Sequence, residues 1–123
     1  MMENFRRFQV GPDPWGKIWD VELQWLQTAV AIRHSDSVDV KFLLSDREGR
    51  TEKVVALMHP YLLALAKQAG RRVTDPWCMR LAALHIEHII LSGEDLEKTI
   101  VTPSPQELEG YSRAVAQARQ LLR

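Results

Sequence analysis

Ile18-Trp19-Asp20-Val21-Glu22-Leu23-Gln24-Trp25-Leu26-Gln27-Thr28-Ala29-Val30-Ala31-Ile32-Arg33 carries two periods at once. Read as a strand, Val21, Leu23 and Trp25 alternate with Glu22 and Gln24, and Leu26, Thr28, Val30 and Ile32 resume the alternation after a slip of phase. One extra residue in a β-bulge near Trp25-Leu26 produces such a slip. Read as a helix, Ile18, Val21, Trp25, Ala29 and Ile32 share one face, with Lys17, Asp20, Gln24 and Gln27 opposite. The strand is preferred because the next two segments form a hairpin, which is marginal without a third strand or a cover.

In that hairpin Val38, Val40, Phe42 and Leu44 alternate with Asp39, Lys41, Leu43 and Ser45, one face for a core and one mostly wet. Asp46-Arg47-Glu48-Gly49 is a turn with Gly where a positive φ is expected, and Lys53 to Met58 returns. His34-Ser35-Asp36-Ser37 would join the first strand to the second, completing a three-stranded meander.

From Pro60 the period becomes helical. Leu62, Leu63, Leu65 and Ala66 supply an apolar face that ends at Gly70. Thr74 or Asp75 caps a second helix from about Trp77 to Leu91, with Pro76 in its first turn and Ser92-Gly93 as its stop. Thr99-Ile100-Val101-Thr102 is a short extended piece. Ser104-Pro105-Gln106-Glu107 is a capping box that opens a last helix, with a narrow stripe of Leu108, Tyr111, Val115 and Leu122. Arg119 and Arg123 complement its dipole. Upstream, Gly11-Pro12-Asp13-Pro14-Trp15-Gly16 is turn chemistry, so residues 1–16 read as a flexible N-terminal arm before a single domain over 17–123. The expected fold is α+β: a small antiparallel sheet of two or three strands, a meander, against about three helices.

Composition bounds the partners. Sixteen basic side chains balance sixteen acidic ones. That neutrality argues against nucleic acid or a charged membrane surface and leaves little repulsion against self-association. One cysteine cannot form an internal disulfide, which suits a reducing, cytoplasmic setting. No apolar run is long enough to cross a bilayer, and Met1 to Arg7 lacks the apolar stretch of a secretory leader.

The chemistry-bearing candidates cluster on the second helix, whose polar strip is Arg80, Ala83 and Glu87 and whose remainder is apolar. Cys78 and His85 lie inside the apolar arc and His88 on its flank. A buried imidazole needs partners, so His85 and His88 are candidate ligand-binding residues. They could hold zinc with Cys78 and His59 or serve in acid–base catalysis; the simplest reading gives them structural hydrogen bonds. Cys78 near a helix N-terminus is a candidate nucleophile, against which stand its apolar neighbours. Arg71 and Arg72, with Lys67 and Arg80, form a basic junction that could hold an anion, although no Gly-rich cradle accompanies it. Residues 87–109 carry six acids and one base, Lys98. Trp15, Trp19 and Trp25 crowd the first quarter; Trp25 reads first as core and Trp15 as a contact anchor.

No nucleotide, hydrolase-elbow, zinc-finger or calcium-loop motif is present. The expectation is therefore a non-enzymatic interaction or accessory protein that self-associates as a homodimer and needs no cofactor or metal. A small metal- or ligand-binding enzyme using His85 and His88 is the alternative, and an anion or phosphate binder at Arg71 and Arg72 a further one.

Overall fold

Every second side chain from Val38 to Leu44 is buried, and the residues between them are not. That alternation is what a strand with one covered face requires. The computed structural model describes residues 5–29 and 36–121. Five strands, β1 (Arg7–Val10), β2 (Trp19–Ala29), β3 (Ser37–Ser45), β4 (Arg50–Met58) and β5 (Ile100–Val101), form one sheet in chain order. Three helices cover it: α1 (His59–Gln68), α2 (Asp75–Ser92) and α3 (Pro105–Leu121).

The α+β class stands, but the sheet is larger than two or three strands and is mixed. The first four strands are antiparallel, whereas β5 runs parallel to β4, with Val54 opposite Ile100 and Val55 opposite Val101. The additional strands are too short to show a period: β1 has four residues and β5 two. Of the segment read as a loose arm, residues 7–10 are β1, and the loop after them is tied down through Asp13. That carboxylate accepts from the backbone N–H of Trp15 and Lys17, each at 2.9 Å, and from the Trp19 indole at 3.0 Å. Desolvation works against its charge, but these bonds and the nearby Lys17 ammonium outweigh it and hold the carboxyl below the usual range.

Residues 18–33 resolve as a strand over the part described. The register shifts between Leu23 and Trp25, leaving Gln24 as the extra residue, one position before the expected bulge. Val21 pairs with Leu44 and Leu23 with Phe42 on the covered face; beyond the bulge Leu26 pairs with Val40 and Thr28 with Val38 on the same face. Trp25, opposite Lys41, is thereby turned to the other side. Val30, Ile32 and the turn residues His34 and Ser35 lie outside the described residues, as do Leu122, Arg123 and the Arg119 side chain.

The remaining punctuation follows the capping rules. Thr74 caps α2 through its hydroxyl and the Trp77 N–H at 3.3 Å. Ser104 and Glu107 exchange both capping-box bonds, at 3.0 and 3.1 Å. The β3–β4 turn is held by Asp46, whose carboxylate accepts from the N–H groups of Glu48 and Gly49; Gly49 itself does not take a positive φ. Gly93 does, at 77°, and a Cβ there would lie 2.9 Å from Pro14. Thus the C-terminus of α2 is seated under the β1–β2 loop.

Helix α2 reaches all four antiparallel strands, and α3 packs on α2 and α1. Burial around α2 therefore exceeds its apolar arc: Ala83, assigned to the polar strip, is fully buried, while Leu84, Glu87, His88 and Leu91 reach solvent. The helices share one face of the sheet. The other face is open.

Candidate functional site

The histidine in the apolar arc of α2 finds its partner on α3. His85 is 2% exposed, and its Nδ1 lies 2.8 Å from the Tyr111 hydroxyl. Burial pushes this imidazole below the usual histidine range, opposed by Glu107 and reinforced by His88. Burial likewise raises the Tyr111 phenol, with Glu107 and Glu94 adding to the effect. The pair is therefore neutral near pH 7. His88 stands one turn further along with its ring 6.2 Å from that of His85, but it is 43% exposed rather than inside the apolar arc. Its Nε2 lies 3.5 Å from Glu107 and 3.7 Å from Glu94. Glu107 thus serves twice, as the capping-box acceptor at the head of α3 and as a carboxylate facing both histidines.

Beside this cluster a groove of about 520 Å³ opens between α2 and α3, lined by Leu84, Glu87, His88, Leu91 and Ser92 from α2 and by Tyr111 and Ala114 from α3. Its lining sets a phenol, an imidazole, a hydroxyl and one carboxylate among apolar side chains.

Tyr111→Phe leaves the buried His85 nitrogen without its hydroxyl and is expected to cost about 1–3 kcal/mol in urea unfolding. Acid acts on the same histidine. The unfolded chain protonates it near pH 6.5, the folded chain only at lower pH, so the unfolded state binds more protons between those values and stability falls with pH there. His85→Gln lacks this loss, so the stability gap between wild type and variant should narrow as pH drops from about 7.5 to about 5. A gap that stays constant would remove His85 from the account.

The other candidates are placed apart from this cluster. Cys78 lies two turns before His85, buried, and burial pushes its thiol up to about 12, aided by Asp75 and opposed by Arg71. It is inert as a nucleophile at neutral pH. Among the described residues no three His, Cys, Asp or Glu side chains come together as a metal site, so Cys78, His85, His88 and His59 are not assembled as ligands. The Arg71 guanidinium lies 4.6 Å over the Trp77 ring, and its Nε donates to the Arg72 carbonyl at 3.3 Å. Arg72 is exposed in the segment that leads into α2.

A second feature lies on the open face of the sheet. Trp25, Lys41, Val54 and Ile100 are successive register partners and form one row across four strands. Trp25, read first as core, is 38% exposed, and Ile100 is 63% exposed. The Lys41 ammonium lies 5.6 Å over the Trp25 ring and 2.9 Å from Glu52. Sequence reading missed this row because its members come together only through long-range register. It also missed Tyr111 as the partner of His85; the only signal was its place on the α3 stripe. Comparison with protein-family models, curated proteins and solved structures finds no match for this chain.

Proposed function

We propose that this chain is a non-enzymatic interaction module that pairs with a second copy of itself through the helix-free face of its sheet. The observation that supports this most is the row Trp25–Lys41–Val54–Ile100, about 14 Å long at the usual strand spacing. Its largest side chain reaches that face only because a bulge at Gln24 re-aims it, and bulges commonly serve such purposes. The row is self-complementary. A two-fold axis between its central residues sets Trp25 of one protomer over Ile100 of its partner, the isologous arrangement of a C2 interface. A net charge of zero leaves little repulsion to oppose the contact. The reading includes a reducing cytoplasmic setting, in keeping with a lone, buried cysteine.

Light scattering or sedimentation should then give a particle of twice the 14.1 kDa chain mass at high micromolar concentration. Trp25→Ser should weaken the dimer at least about tenfold, as expected of a tryptophan hot spot. A wild-type monomer at that concentration would end the proposal, and so would a dimer indifferent to Trp25→Ser.

A further inference from the structure

We propose that the groove between α2 and α3 binds a primary ammonium carried on a short hydrocarbon body. The walls supply the apolar part: Leu84 and Leu91 from α2 and Ala114 from α3 line a trough of about 520 Å³. Leu91 is half exposed at its edge. Acceptors come from three segments. Glu87 lines the groove from α2, while Glu94, in the turn after α2, and Glu107, on α3, converge on the His88 Nε2 from 3.7 and 3.5 Å. Among the described residues lining the groove there is no lysine or arginine. An anion entering here meets the Glu87 carboxylate with no lysine or arginine to offset it, and a neutral alcohol gains no charge pairing. An ammonium has three donors to distribute and finds carboxylates and the Tyr111 oxygen, itself positioned by His85 at 2.8 Å. The hydrocarbon then lies along the leucines, as the stem of a lysine lies on apolar surface.

His88 sets a condition. Its Nε2 already faces Glu94 and Glu107, so an ammonium entering the groove competes with it for the same two carboxylates. This inference is independent of the sheet-face contact, which uses other residues.

The test is an NMR titration with hexylamine, 1-hexanol and hexanoate. Hexylamine should shift the Leu91, Tyr111 and Ala114 amides saturably in the millimolar range. Hexanol should bind about fivefold more weakly and hexanoate not at all, the difference expected of partly solvated ion pairing. Ala114→Leu, which fills the trough, should abolish the shifts; Glu94→Gln, an exposed change that spares the fold, should weaken hexylamine about threefold and leave hexanol unchanged. Equal binding of hexanol and hexylamine overturns the proposal. Hexylamine shifts that survive Ala114→Leu do the same.

Discussion

Lys53→Met is expected to destabilise the fold by about 2–4 kcal/mol, although it replaces one long side chain by another of similar volume. Lys53 is 2% exposed on the covered face of β4, and its ammonium donates to the carbonyls of Leu96 and Lys98. Next to it, the Thr99 carbonyl accepts from the Val54 N–H at 2.8 Å. Together these bonds fasten β4 to the segment that leads into β5. Methionine keeps the stem and removes the donors, so two carbonyls lose their charged partner at about 1–3 kcal/mol each, partly offset because no ammonium is then desolvated. Burial lowers the Lys53 pKa, opposed by Glu97 and Asp95. Between that lowered value and about 10.4 the unfolded chain binds more protons than the folded one. The advantage of wild type over Lys53→Met should therefore grow as pH rises into that interval. Urea unfolding gives the first number, and amide exchange at Ile100 and Val101 should accelerate in the variant. Unchanged stability with unchanged exchange would show that the ammonium is dispensable.

Two deletions from β2 should have opposite outcomes. Removing Gln24 takes out the unpaired residue: Leu23 stays opposite Phe42, Trp25 stays opposite Lys41, and the ladder becomes regular. The expected change is within about 1 kcal/mol. Removing Glu22 cannot be absorbed. If the bulge closes, Gln24 is driven into the core and Leu23 onto the open face; if it persists, Trp19 and Val21 invert, because a one-residue slip exchanges the faces of a strand. Burying an amide without partners and exposing a leucine together cost at least about 3 kcal/mol. Denaturant midpoints of the two variants settle the matter. Equal loss from both would mean that Gln24 is not the bulged residue.

The bulge also explains why β2 was the hardest element to read. Inserting one residue sets the covered-face positions Val21, Leu23, Leu26 and Thr28 at spacings of two, three and two; the broken alternation leaves Val21, Trp25 and Ala29 free to read as a helix face, although Val21 and Trp25 lie on opposite faces of the strand. Residues 38–45 had no such interruption, and the caps at Thr74, Ser104 and Glu107 were legible because each acts within four residues of itself. What local pattern could not reveal depends on distant partners. Arg7–Val10 is a strand only because Glu22 to Trp19 lies beside it, and the extended reading of Thr99 to Thr102 could not say that Ile100–Val101 would join β4. Lysine at 53 reads as surface unless the carbonyls of Leu96 and Lys98 are known to be waiting. At the candidate site the anomaly of His85 in an apolar arc was visible. Its phenol partner on α3 was not, and the flank position assigned to His88 gave no sign that its Nε2 meets Glu94 and Glu107.

The parallel pairing of β5 with β4 has a kinetic consequence. The first four strands follow one another in space as they do along the chain, so their contacts close short loops and form early. β5 can reach β4 only after the chain has passed through α1 and α2, and the segment brought there is two residues long. Closing so long a loop for so few bonds makes β5 the last part of the sheet to dock and the first to open. Ile100, at the end of the open-face row, thus belongs to the least protected unit of the sheet. Spontaneous opening of that edge sets how often the row is complete.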